Sequence, residues 1–198
     1  MLSHVSRFPV PVDKSALRRA ARAARDGIAA PARRAAATAT AAHIDRELLS
    51  SLPAGATVVL YAAKGSEIAT DDLAAAALAR GLALAYPRIV AGTRRLSFHL
   101  AGPGDLRPGT FGIPEPPASA PAIEADWAEL VFLPGLAFDR RGVRLGWGQG
   151  HYDTTLAGTD VFRVGLAYDS QLVDEIPDDE HDIPVHMIAT EVGLHRPG

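Results

Sequence analysis

The chain has 198 residues, 47% of them hydrophobic and 22% charged, enough apolar content for a full core in an ordinary water-soluble fold. A formal charge of −3 gives no electrostatic case for a nucleic-acid partner or an acidic membrane surface, although the arginines cluster locally. The absence of cysteine excludes disulfides, thiolate metal sites and cysteine nucleophiles, a composition that suits a cytoplasmic enzyme.

Residues 1–12 lack periodicity and carry two prolines, so a loose arm is expected there, with a single domain over 13–198. The start is too short and too interrupted for a signal sequence, and no apolar run reaches the roughly 18 residues of a membrane span. Asp13 is placed to cap the helix KSALRRAARAARD, which Gly27 ends. Leu17, Ala20, Ala21 and Ala24 share one face. Arg18, Arg22 and Arg25 share another, read on pattern alone as solvated. A second, alanine-rich helix begins near Pro31 and fades between Ser50 and Pro53.

TVVLYA at 57–62 is a continuous β-rich run, as in a strand buried on both faces. Thr70 is placed to cap DDLAAAALARG, and LALAYP at 82–87 gives the next strand, completing a βαβ unit. RLSFHL at 95–100 alternates like a strand nearer an edge, and residues 101–122 read as an ordered loop holding Phe111 and Ile113. Further strands are expected from Leu130, over VFRVGLAY at 161–168, and over MIATEVGL at 187–194. The expected fold is α/β, a three-layer α/β/α arrangement around a largely parallel or mixed central sheet, with an N-terminal helical pair. Ligands of such sheets sit beyond the strands' carboxyl ends, here residues 61–67, Pro87, the 134–153 segment and Asp169.

The stretch from Leu130 to Ala157 carries the strongest chemical signal. A strand stops at Pro134, and a loop follows with Arg144 among glycines at 142, 146, 148 and 150. His151, Tyr152 and Asp153 then enter a helix. Strand, glycine-spaced cationic loop and helix start form a layout that holds phosphoryl oxygens on backbone N–H groups. It is neither a P-loop nor a dinucleotide fingerprint, and a plain tight turn explains the glycines nearly as well. Asp153 reads equally as a helix cap and as a Mg²⁺ ligand. Asp182 lies between His181 and His186, whose spacing is a poor metal pattern. Glu67 is either a solvated loop acid or a contact to polar groups of a substrate.

PGLAFDRRGVRLGWGQGHYD (134–153) resembles the signature of the 5-formyltetrahydrofolate cyclo-ligase family. KSALR (14–18), SEIAT (66–70), FGIPEP (111–116) and HDIPVHMIATE (181–191) are similar to its other motifs, in the same order. The resemblance implies an ATP- and Mg²⁺-dependent ligase closing 5-formyltetrahydrofolate to 5,10-methenyltetrahydrofolate, a monomer or weak dimer without nucleic-acid or membrane partners. It implies ATP contacts from Lys14, Ser15, Ala16, Leu17 and Arg18, and from Arg144, Leu145, Gly146, Trp147, Gly148, Gln149, Gly150, His151 and Tyr152. Lys14, Arg144 and Tyr152 are the implied catalytic residues, and Asp153 and Asp182 the implied Mg²⁺ ligands. Arg18, Ala62, Glu67 and the segment from Trp147 to His151 would meet the folate. The chain departs from the family pattern at Trp147, Gln149, His151 and His186. These departures keep open a folate- or nucleotide-binding paralogue without turnover; a sugar-phosphate isomerase-like enzyme is the other alternative.

Overall fold

The computed structural model describes residues 13–198; the arm expected over 1–12 lies outside them. Helices α1 (Lys14–Asp26) and α2 (Ala30–Glu47) form the N-terminal pair. They are followed by β1 (Thr57–Val59), α3 (Asp71–Ala79), β2 (Ala83–Ile89) and β3 (Leu96–Leu100). The proline-rich segment carries three short strands, β4 (Arg107–Pro108), β5 (Pro114–Glu115) and β6 (Ala122–Ile123). Then come β7 (Leu130–Pro134), β8 (Ala137–Asp139), β9 (Arg144–Leu145) and α4 (His151–Leu156). The chain closes with β10 (Phe162–Leu166), β11 (Leu172–Val173), β12 (Met187–Ala189) and β13 (Leu194–His195). Among the described residues no helix is long and apolar enough to cross a membrane.

The central sheet has eight strands in the order β13-β12-β10-β7-β1-β2-β3-β6. Its middle, from β12 to β2, is parallel, and β3, β6 and β13 add antiparallel edges. The period-two alternation of strands sends neighbouring residues to opposite faces. Val58, Leu84 and Phe132 therefore pack with Ile44 of α2 and Leu73 and Ala77 of α3. Val59, Ala85 and Val131 pack on the other side with Phe138 and Leu156 of α4. This is the expected layered fold. Gly165 inside β10 has a packing reason: a Cβ there would overlap the ring of the fully buried Phe138.

Several local expectations are corrected. The β1 ladder ends at Val59, not at residue 62, because the chain turns toward the cavity described below. Leu60 still donates to the Ala85 carbonyl at 2.9 Å, and the Tyr61 carbonyl accepts from the Thr70 hydroxyl at 2.8 Å. That same bond takes Thr70 away from capping, so α3 starts without a side-chain cap. The segment after Pro134 is not simply a loop. The buried Asp139 carboxylate accepts backbone N–H bonds from Arg141, Val143 and Ile176 at 2.9, 3.0 and 3.0 Å, closing the turn between β8 and β9. Gly142 at φ +81° makes that turn possible. The final run is an antiparallel pair, β12 with β13, and not one strand.

Candidate active site

A cavity of ≈ 650 Å³ opens where the sheet ends. Helix α1 forms one wall. Asp13 caps it by accepting from the Ser15 N–H at 3.0 Å, and Leu17 and Ala21 bury against Leu136, Val143 and Leu145. Of the KSALR segment, Lys14 and Arg18 line the cavity, whereas Leu17 is buried and the Ser15 hydroxyl donates back to Asp13. The Lys14 ammonium donates to Asp179 at 2.7 Å and to Asp182 at 2.6 Å. Burial works against its charge, but the two carboxylates win and hold it above the ordinary lysine range. Burial likewise opposes the Asp182 carboxylate, yet Lys14 and the Asp179 N–H keep it below the ordinary range.

The glycine-spaced segment forms the floor. Arg144 grips Asp153 with bonds of 2.9 and 3.1 Å to its two carboxylate oxygens and lies 5.6 Å from the Tyr152 ring centroid. Its Nε is buried without a hydrogen-bond partner. Arg18 donates from Nε to the Gly146 carbonyl at 3.0 Å. The spacing of the glycines now has a physical cause. A Cβ at Gly146 would meet the Arg144 guanidinium at 2.7 Å, and one at Gly148 would meet that of Arg18 at 3.3 Å. Gly150, at φ +67°, turns the chain into α4. Leu145, Gln149, His151 and Tyr152 complete this wall, and burial pushes the Tyr152 phenol up, against the pull of Arg144.

The other end is organised by Glu67. Its side chain is only 7% exposed, which overturns the reading of a solvated loop acid. One oxygen accepts the Lys64 N–H at 2.9 Å and the other accepts the Trp147 indole N–H at 3.1 Å. Arg25 is 4.0 Å away and 2% exposed, donating to Ser66 and to the Gly135 carbonyl. The solvated-face expectation therefore fails for Arg25 and holds for Arg22, which remains exposed. Ala62, Pro87, Ile89, Phe111 and Ile113 add apolar lining suited to a flat ring system.

Two members of this site were not singled out from the sequence. Arg25 follows Leu17 and Ala21 at helical spacing, so the apolar face itself was a usable signal. Asp179 sits in an acidic run with no distinguishing pattern. Among the described residues no group of three or more His, Cys, Asp or Glu side chains is poised around a metal position. Asp153 and Asp182 line the same cavity, each beside a cation. That fits Mg²⁺, which is usually held by one or two carboxylates together with substrate phosphates and water. His181 is exposed, and His186 pairs with Arg163 and stacks on Phe162.

The model of the 5-formyltetrahydrofolate cyclo-ligase family matches residues 10–191. The 5-formyltetrahydrofolate cyclo-ligase of Mycolicibacterium smegmatis is 34% identical over 149 residues, covering 71% of this chain and 76% of that one. The Mus musculus cyclo-ligase is 35% identical over 101 residues, 48% of this chain and 44% of its own. The solved 5,10-methenyltetrahydrofolate synthetase of Aquifex aeolicus superposes with a TM-score of 0.74 at 29% identity, covering 92% of each chain. The Mycoplasma pneumoniae synthetase shares the fold, with a TM-score of 0.75 at 19% identity over 91% of this chain and 99% of that one. By sequence and by fold, the chain belongs to the 5-formyltetrahydrofolate cyclo-ligase family.

Proposed function

We propose that the protein converts 5-formyltetrahydrofolate to 5,10-methenyltetrahydrofolate with hydrolysis of ATP to ADP and phosphate. The formyl oxygen on N5 attacks the γ-phosphorus and ADP leaves. N10 then attacks the activated formyl carbon, loses its proton, and phosphate departs with the former formyl oxygen. Phosphorylation matters because an amide-like oxygen is a very poor leaving group and phosphate is a good one. The protein's work is then mainly positioning and charge stabilisation.

The observation that carries this reading is one cavity lined by Lys14, Arg18 and Arg144 together with Glu67. Lys14 and Arg144 each line it beside a carboxylate, Asp182 and Asp153, and Arg18 lines it with them. The shielded Glu67 carboxylate faces a ligand's N–H donors amid apolar lining. Lys14 and Arg144 would bind the phosphates, helped by N–H groups of the 145–152 backbone. Asp153 and Asp182 would hold Mg²⁺, which when bound neutralises charge on the phosphoryl oxygens. Glu67 would orient the pterin, while Trp147 and Tyr152 exclude water around the reacting atoms.

Purified protein given 5-formyltetrahydrofolate, ATP and Mg²⁺ should build methenyl-folate absorbance, and omission of ATP should abolish it. Folate binding without any absorbance change, at any ATP concentration, would leave a binding protein instead.

A further inference from the structure

We propose that Trp147 is a positioning residue that couples the two ends of the cavity, so that nucleotide and folate each bind more tightly when the other is present. The inference rests on the functional reading above and goes beyond it. Trp147 belongs to the glycine segment that forms the phosphate end, yet its indole reaches across to the folate end and donates to Glu67 at 3.1 Å. The Lys64 N–H holds the second carboxylate oxygen at 2.9 Å, so two donors from different segments fix the plane of this group. Each oxygen still has lone-pair capacity for a ligand donor. Removing the indole N–H takes away the hydrogen bond to one oxygen and leaves it only the looser pairing with Arg25, 4.0 Å away.

The backbone that carries the indole is itself held by the phosphate end. Arg18 donates to the Gly146 carbonyl at 3.0 Å, and its guanidinium lies 3.3 Å from where a Cβ of Gly148 would sit. Arg18 therefore contacts the residue on each side of Trp147. Arg22 and Arg25 of the same helix lie 5.3 and 5.5 Å from the indole centroid. An anion that draws on Arg18 thus acts on the segment that positions Glu67. By linkage, a folate ordered by Glu67 returns the same factor to the nucleotide.

The experiment measures the Kd of 5-formyltetrahydrofolate by calorimetry, with and without a non-hydrolysable ATP analogue and Mg²⁺. It uses the full chain as wild type, W147F, E67A and the double variant. Trp147 is 45% exposed, so W147F should fold, and it keeps an aromatic ring beside both arginines while losing the N–H. In the wild type the analogue should tighten folate binding about fivefold or more. In W147F that factor should fall to within about twofold of unity, and in the E67A background, where the indole has no side-chain acceptor at 67, W147F should change the coupling no further. In turnover, W147F should raise the folate KM by a larger factor than it lowers kcat. Wild-type coupling retained in W147F, no coupling in the wild type, or an equal effect of W147F with and without Glu67 each overturns the proposal. A wild type that binds no 5-formyltetrahydrofolate overturns the functional reading itself, which the coupling outcomes leave standing.

Discussion

Asp153 is held by both oxygens on Arg144, and one of them also accepts the Ile183 N–H at 3.4 Å. In the proposed function its charge serves Mg²⁺ as well as Arg144. Asp153→Asn keeps an acceptor and the volume but removes the charge. Turnover should fall at least about a hundredfold, because metal stabilisation of phosphoryl charge is worth several kcal/mol. The Mg²⁺ concentration for half-activation should rise, and the melting temperature should drop because Arg144, 6% exposed, loses its counter-charge. Unchanged turnover below the new melting temperature would remove Asp153 from the metal site. At this scale the sequence was informative about residue type and poor about environment. Arg144, Asp153, Lys14 and Asp182 all line the cavity where their motifs suggested. Arg25 read as solvated, and Glu67 as either a solvated acid or a substrate contact, because charge is the best local predictor of exposure. Only a pairing across 42 positions of chain shows that each shields the other.

Helix α1 acts as a clamp with two kinds of contact. Its apolar underside meets the small β11-β8-β9 sheet, and Lys14 at its first turn ties down the 179–182 segment. The ion pair carries a pH signature. Asp182 has its carboxyl below the ordinary 3.8, so its contribution is present above the unfolded value and lost as pH falls through the folded one. Lys14 sits above the ordinary 10.5, so its contribution is complete below that value and lost as pH rises past the folded one. The stability gap between wild type and Lys14→Met in urea unfolding should therefore be flat near neutrality, closing below about pH 4 and above about pH 11. A gap that persists unchanged at pH 3 would show that the clamp does not rest on the ion pairs with Asp179 and Asp182. Elements with a strong period, such as α1 and β7, were legible from the sequence. The β8–β9 hairpin was not, although its turn is closed locally by Asp139 and Gly142, because the burial that holds Asp139 there involves Ile176, 37 positions away.

The whole molecule divides into a sheet that sets position and a shell that carries the chemistry. The apolar runs announced a layered α/β fold but not the strand order, because β1 sits between β2 and the much later β7 through contacts no local pattern encodes. The sheet core is doubly covered, with Val58, Val59, Val131, Phe132 and Val164 fully buried. The shell, comprising α1, the 144–150 segment and the 179–182 segment, rests on a smaller cluster and on ion pairs partly open to water. Local stability follows buried apolar contact, so the shell should open without unfolding the sheet. Native-state hydrogen exchange should show amides of α1 exchanging through an opening of lower free energy and smaller denaturant dependence than those of β7 and β10. Ligands that bridge the shell should then raise its protection toward that of the sheet. A non-hydrolysable ATP analogue with 5-formyltetrahydrofolate is expected to slow α1 and 144–150 exchange while changing β7 least. If α1 instead exchanges only with global unfolding in the free protein, the clamp is part of the core and the two-part division is wrong.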